Sequence, residues 1–200
     1  VFAGLGHPIS DSDTGESVAL RSGEIVPCQI TGCSKGTAGS PGELKGRFLS
    51  AHAIGTIRIN GENGVYGSTR AQFAGQKMEV AFAQEVEAGD AEIWTTTSGE
   101  TPRAYRVKIE KISDADPRRN MVLRVVDREL LAQTGGIVQG MSGSPIVQNG
   151  RLVGAVTHVL VNDPTRGYGI FAQTMLEQAQ QAAKTDPVSY THLTLPTIRL

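Results

Sequence analysis

The segment from Gly140 to Val161 limits the possible folds more than any other part of this chain. Its glycine-serine turn runs through Pro145 into the apolar stretch Ile146 to Gln148. The dipeptide Asn149-Gly150 follows, which strongly favours a two-residue β-hairpin, and residues 152–161 return as a second strand. We therefore predict a β-hairpin immediately after the turn.

The turn itself places Ser142 between Gly140 and Gly143. A serine hydroxyl is a poor nucleophile at neutral pH, so catalysis needs a general base, a group that orients the base, and donors for the oxyanion. We expect the amides of Gly140 and Ser142 to form that oxyanion hole. Ser144 precedes a proline and lacks a glycine two positions earlier, so we interpret it as a wall of the cleft. An ordinary glycine-rich loop is the alternative interpretation.

The order of motifs excludes one large class of serine hydrolases. An α/β-hydrolase carries Gly-x-Ser-x-Gly between a strand and a helix. Here the position two after Ser142 is Ser144, and a hairpin follows instead of a helix. A β-barrel protease fits the pattern better.

A general base has few candidates, because the chain has four histidines. His7 lies in a glycine-rich turn and is the first choice; a surface histidine beside an aspartate-rich turn is the other interpretation. His158 falls within the second strand of the hairpin, where it lines the cleft or is a half-buried structural histidine. His52 has no comparable context, and His192 lies in the atypical tail.

The rest of the chain is typical of a single all-β domain, with short strand candidates separated by turns and 24 glycines in 200 residues. One helix is predicted, over Thr174 to Lys184, and it would close the domain. The other predicted strands are Ser17 to Leu20, Glu24 to Ile30, Arg47 to Ala51, Thr56 to Asn60, Met78 to Ala83, Ala91 to Thr96, Tyr105 to Ile112 and Met121 to Val126. Residues 162–165 are predicted to form a turn.

Composition excludes several other functions. The net charge of −1 provides no basic surface for nucleic acid, and no run of 18 apolar residues indicates a membrane span. The spacing of Asp11 and Asp13 does not complete a calcium loop, so we expect no metal and no cofactor. Cys28 and Cys33 form either a small disulfide or two free thiols, and we favour free thiols.

Four blocks of sequence resemble the SpoIVB peptidase family, the stage IV sporulation serine proteases. They are GHPISDSDTG at 6–15, SPGELKGRF at 40–48, MVLRVVDRELLAQTGGIVQGMSGSPIVQNG at 121–150 and GAVTHVLVNDPTRGYGIF at 154–171. The resemblance implies a trypsin-like double β-barrel in which His7 is the general base, Ser142 the nucleophile and Asp127 the orienting acid. No aspartate occurs between Cys28 and Gly89, where other two-barrel proteases carry theirs. A helix-capping aspartate is the alternative interpretation of Asp127.

The resemblance also implies a biological setting. Family members are exported, membrane-tethered endopeptidases of the space between forespore and mother cell, which cleave a regulatory membrane-protein complex and often themselves. We expect a peptidase domain over residues 1–186, truncated at its amino end so that the membrane anchor and PDZ domain are missing, and a non-native tail over 187–200. A non-catalytic module that binds a peptide at a barrel edge is the rival hypothesis, and an acyl-transfer or esterase activity on the same triad is a third.

Overall fold

Strands dominate the structure. The computed structural model describes residues 1–11, 13–69, 71, 75, 77–113, 115–184 and 198–199. The strands are β1 (Phe2–Gly4), β2 (Gly23–Ile25), β3 (Cys28–Ser34), β4 (Glu43–Phe48), β5 (Gly55–Gly61), β6 (Gly64–Thr69), β7 (Lys77–Met78), β8 (Gly89–Thr95), β9 (Arg103–Ile112), β10 (Met121–Val125), β11 (Pro145–Gln148), β12 (Arg151–Leu160), β13 (Asp163–Phe171) and β14 (Ile198–Arg199). The helices are α1 (Arg128–Thr134) and α2 (Ala172–Lys184), with one 3-10 turn at Ala83–Glu85.

Six of these strands close into a barrel, in the order β10-β13-β12-β11-β8-β9. Burial alternates along β9, which shows why the barrel closes. Tyr105, Val107 and Ile109 are buried, and the residues between them are exposed. A strand with one apolar face buries that face against its neighbours, and barrel closure leaves no strand edge unpaired. The main hydrophobic core therefore lies inside this barrel.

The predicted hairpin is confirmed. Gln148 pairs with Arg151 across the two-residue loop Asn149-Gly150. Both loop residues have positive φ, 53° for Asn149 and 74° for Gly150, as a type I′ turn requires. This hairpin fixes the turn that carries Ser142 at the start of β11.

The amino-terminal half forms a four-stranded sheet, in the order β1-β6-β5-β2, and a separate hairpin of β3 and β4. The hairpin contacts the barrel half where the Leu44 amide donates to the carbonyl of Gln139. Helix α2 packs against β1, β6, β12 and β13, so it joins the two halves. The expected all-β class with a carboxy-terminal helix is confirmed.

Several local predictions were wrong. Helix α1 was not predicted, because seven residues are too few for a clear helical period. Of the turn predicted at 162–165, only Asn162 lies in a turn, because β13 begins at Asp163. Of the predicted strand Ser17 to Leu20, the structure shows only an isolated bridge between Ser10 and Ser17.

Both cysteines are free thiols, as we favoured. Cys28 and Cys33 lie at opposite ends of β3. At about 3.3 Å per residue their Cα atoms are roughly 15 Å apart, well beyond the reach of a disulfide.

Along the described ranges, neither α-helix has the length and hydropathy that a bilayer crossing needs. The predicted tail, 187–200, lies outside the described residues except for the β14 backbone, which pairs with β7.

Candidate active site

His7 follows a strained turn at the end of β1. Leu5 and Gly6 both have positive φ, 66° and 75°, and the Gly6 amide donates to the carbonyl of Gly4 at 2.8 Å. A Cβ on Gly6 would come within 2.8 Å of the Thr157 side chain on β12. Glycine is needed there for both reasons, so the turn that carries His7 lies directly against the barrel.

The turn that carries Ser142 packs against the same segment. Gly143 has φ of 85°, and a Cβ on it would lie 2.8 Å from the amide nitrogen of Leu5. The two turns are therefore in backbone contact although they come from opposite ends of the chain. The structure thus brings the neighbourhoods of His7 and Ser142 together.

The half-buried His7 ring is held by a backbone carbonyl. Its Nδ1 lies 2.7 Å from the carbonyl oxygen of Pro8. A carbonyl oxygen can only accept, so this bond requires the proton on Nδ1. Neutral His7 consequently carries its lone pair on Nε2, the nitrogen that removes the serine proton in a catalytic triad.

The Ser142 hydroxyl also bonds a backbone carbonyl. Its Oγ donates to the carbonyl oxygen of Thr157 at 2.8 Å. The Ser142 hydroxyl and the His7 ring therefore both donate to main-chain carbonyls, those of Thr157 and Pro8. Sequence reasoning missed these two partners, because a carbonyl oxygen is present at every residue and leaves no signature in the sequence.

Backbone amides around Ser142 fall into two groups. Those of its neighbours donate to carbonyls: Gln139 to Gly42, Met141 to Val138, Gly143 to Val156 and Ser144 to Met141. The amides of Gly140 and Ser142 find no acceptor among the described residues. Gly140 is exposed and Ser142 is half-buried, so both residues are accessible to a bound group, and their amides are the pair expected to form an oxyanion hole.

Ser144, predicted as a wall residue, closes the turn. Its amide donates to Met141, and its carbonyl accepts from Val156 on β12. These two bonds fix the chain direction from Ser142 into β11. The backbone of Ser144 is thus part of the support of the candidate site.

His158 lies beside His7. The two ring centroids are 4.7 Å apart, with the ring planes tilted by 40°. Burial, and next the proximity of His7, lower the pKa of His158 to about 4, so its ring is neutral at physiological pH. The Nδ1 atom of His158 is buried and has no hydrogen-bond partner among the described residues.

Asp127 has the contacts of a helix cap. Its carboxylate accepts hydrogen bonds from the amides of Glu129 and Leu130 at the start of α1, and from the amide of Arg106 on β9. Burial alone would raise the pKa of Asp127, but these amide bonds and the Arg106 charge together lower it. Along the described chain, none of its hydrogen bonds goes to His7.

Two solved structures match the chain over most of its length at low sequence identity. An inactive form of a serine-to-alanine mutant of Rv3671c from Mycobacterium tuberculosis H37Rv has 14% sequence identity and a TM-score of 0.46, over 81% of this chain and 88% of that one. The active form of the Rv3671c protease from M. tuberculosis has 17% identity and a TM-score of 0.42, over 83% and 84%. No curated protein sequence matches the chain.

The family comparison extends over most of the sequence. The model of the SpoIVB peptidase family, S55, matches residues 1–176. This range includes both candidate turns and every described strand except β14. The chain belongs to the SpoIVB peptidase S55 family and is a serine peptidase.

Proposed function

We propose that this serine peptidase is an endopeptidase in which Ser142 is the nucleophile and His7 the general base. The observation that carries the proposal is that the amides of Gly140 and Ser142, which lie next to the Ser142 hydroxyl in sequence, have no acceptor in the part of the chain that the structure describes. The contact between Gly143 and Leu5 supports it as well, because it joins the two turns. The Nδ1 proton of His7 leaves Nε2 free to accept.

The reaction requires one side-chain change. The Ser142 hydroxyl leaves the carbonyl of Thr157 and turns toward His7. His7 Nε2 then takes the hydroxyl proton while Oγ forms a bond to the substrate carbonyl carbon, and the charge on the carbonyl oxygen is stabilised by the two amides. His7 returns the proton to the leaving amine, and water hydrolyses the acyl-enzyme by the same steps.

Asp127 remains the family-based prediction for the orienting acid. The contacts in the structure support a second role, since its carboxylate caps α1 and pairs with Arg106 at 3.8 Å. A carboxylate that orients a catalytic histidine accepts a hydrogen bond from its Nδ1. In this structure the partner of His7 Nδ1 is Pro8.

For the substrate, we propose a protein of a membrane-bound regulatory complex, with the chain itself as a second substrate. Membership of the SpoIVB family supports a sporulation signalling role and an exported location between forespore and mother cell. The rival hypothesis is a peptide-binding module at a barrel edge. The six-stranded barrel is closed, so among the described strands a peptide would add to the outer strands of the open sheet β1-β6-β5-β2 instead.

Labelling with a fluorophosphonate tests the proposed chemistry. The probe forms an Oγ–phosphorus bond with an activated serine and releases fluoride. We expect labelling of the wild-type chain, none in Ser142→Ala, and wild-type labelling in Ser144→Ala, the matched serine two residues away. Wild-type protein should also cleave casein and the inactive Ser142→Ala chain. A folded wild type that neither labels nor cleaves contradicts the proposal.

A further inference from the structure

The sequence block 40–48 belongs to the hairpin of β3 and β4, and the proposed reaction makes no use of it. Every residue of β4 except Leu44 is exposed. In the loop between the two strands, by contrast, Gly36 and Gly42 are buried. A two-stranded hairpin alone is at best marginally stable, so it depends on its attachment to the rest of the molecule. The burial pattern places that attachment at Leu44 and at the loop.

Two main-chain hydrogen bonds join this end of the hairpin to Gln139, the residue before Gly140. The Gln139 amide donates to the carbonyl of Gly42, and the Leu44 amide donates to the carbonyl of Gln139, each at 2.8 Å. Both polar groups of the Gln139 backbone are therefore bonded to the hairpin. The next amide along the chain is that of Gly140, one of the two proposed oxyanion donors.

The bond to the Gln139 carbonyl also sets the direction of the Gly140 amide. A trans peptide group is planar, and its C=O and N–H point in opposite directions. The Gln139 carbonyl and the Gly140 N–H belong to one such group. Since the carbonyl is held by the Leu44 amide, the Gly140 N–H points away from that amide. It has no acceptor among the described residues, so it is available to a substrate oxygen.

The side chain of Leu44 packs against Gly140 as well. The three nearest neighbours of a Cβ on Gly140 would all be atoms of the Leu44 side chain, at 3.1, 3.5 and 3.5 Å. Gly140 has a φ of 93°, and glycine adopts positive and negative φ about equally readily. Gly140 itself therefore does not select this conformation. The contact with Leu44 restricts it from outside.

We propose that Leu44 is a positioning residue for the oxyanion hole. Its amide holds the Gln139 carbonyl and thereby directs the Gly140 N–H toward the substrate oxygen, and its side chain keeps Gly140 in that conformation. The inference rests on the proposed role of the Gly140 amide. It gives the hairpin of β3 and β4, in the amino-terminal half, a part in a donor that belongs to the barrel half. Leu44 itself does not touch the substrate.

One pair of variants tests the side chain of Leu44. Loss of one oxyanion donor costs about 10²- to 10³-fold in rate, so we expect Leu44→Ala, which loosens the donor, to slow fluorophosphonate labelling by about 10-fold or more. Leu44→Met, a volume-conserving change, should label at about the wild-type rate. Phe48→Ala is the control on the same strand, because Phe48 is 78% exposed. For a peptide substrate, kcat should fall in Leu44→Ala and KM should not change.

A second pair tests the loop that holds Gln139. At Gly42 a Cβ would lie 2.2 Å from the carbonyl oxygen of Ser34, so Gly42→Ala displaces the loop. At Gly46, on β4, the nearest atom would be 3.3 Å away. We expect Gly42→Ala to slow labelling at least as much as Leu44→Ala does, and Gly46→Ala to label like wild type.

The Gly140 amide can be observed without any activity measurement. The dipeptide Gln-Gly occurs once in the sequence, at 139–140. A chain labelled with ¹³C-carbonyl glutamine and ¹⁵N-glycine therefore gives one HNCO signal, that of the Gly140 amide. The signal should move in Leu44→Ala and Gly42→Ala, and should keep its wild-type position in Phe48→Ala and Gly46→Ala.

The outcomes separate the two proposals. A folded wild type that does not label contradicts the proposed function, and the role of Leu44 falls with it. If wild type labels, the role of Leu44 is wrong when Leu44→Ala labels equally fast, or when it slows without a shift of the Gly140 signal. Circular dichroism establishes folding. If Leu44→Ala does not fold, wild-type labelling by folded Gly42→Ala overturns the inference.

Discussion

The polar atoms at the candidate site differ in whether they have a hydrogen-bond partner. His7 and Ser142 are bonded to carbonyls, while the amides of Gly140 and Ser142 have no acceptor along the described chain. On the roles proposed above, these two amides are the donors for a substrate oxygen, and the Ser142 hydroxyl has to leave the carbonyl of Thr157 before it reacts. In an apo enzyme such catalytic hydrogen bonds are often absent until substrate binds. Preformed amides with a movable hydroxyl are consistent with that general behaviour.

Asp127 allows a prediction at the scale of one side chain. Replacement by Ala removes the cap of α1 and should lower the free energy of unfolding by about 1–2 kcal/mol, whereas Asn, also a good capping residue, should cost less. A capping role alone predicts that Asp127→Asn is labelled by fluorophosphonate within about threefold of the wild-type rate. A folded Asp127→Asn whose activity falls about 10⁴-fold would instead identify Asp127 as the acid.

At the scale of elements, the two turns hold the site together through glycine. Gly143 and Gly150 both have positive φ, but only Gly143 has a neighbour where a side chain would project, the Leu5 amide at 2.8 Å. Gly150 has open space. Backbone contact between the segments that carry His7 and Ser142 therefore depends on the missing side chain at Gly143.

This difference gives a matched pair of variants. Gly150→Ala should cost about 1–2 kcal/mol, the ordinary penalty of a left-handed residue. Gly143→Ala should cost more and should abolish labelling, because the Leu5 segment has to move away. Thermal unfolding and labelling measure both effects. Equal stability and equal labelling of the two variants would show that the contact does not matter.

Strand β3 provides a second test at this scale. Cys28 is exposed and Cys33 is half-buried. Burial raises the pKa of the Cys33 thiol, with Lys35 opposing and Glu43 adding to the effect. Iodoacetamide reacts with thiolates, so it should alkylate Cys28 faster than Cys33 in the folded chain, and both at similar rates in urea. Peptide mass spectrometry measures the rates, and recovery of a linked Cys28–Cys33 peptide from untreated protein would contradict the strand geometry.

Local signals account for the parts of the fold that sequence could predict. The Asn149-Gly150 hairpin and the alternation in β9 depend on neighbouring residues, and both were confirmed. Closure of the barrel pairs β8 with β11 and β10 with β13, distant in sequence, and no local pattern encodes such pairs. The contact of His7 with His158 also joins residues that are distant in sequence. The cap that Asp127 provides for α1 is local, and a capping role was one of the two interpretations of that aspartate from the sequence.

For the molecule as a whole, His158 predicts a pH dependence of stability. Its pKa is about 4 in the folded state against 6.5 ordinarily, so the unfolded chain takes up a proton first as pH falls. The stabilising contribution of neutral His158 is complete above pH 6.5 and is lost as pH falls to about 4. Urea unfolding should therefore show a smaller loss of stability over this range in His158→Phe than in wild type or His52→Phe. If the free energy of unfolding falls equally with pH in His158→Phe and wild type, His158 is not the cause of the pH dependence.

Closure of the barrel also has a consequence for the order in which the chain is made. Synthesis from the amino end delivers His7 first, and Ser142 only after β8, β9 and β10. The strands that support Thr157 and His158 come later still, in β12 and β13. A nascent chain that already carries the serine therefore lacks the surface on which the two turns meet. The contact between the two turns therefore forms only after β12 and β13 have been made.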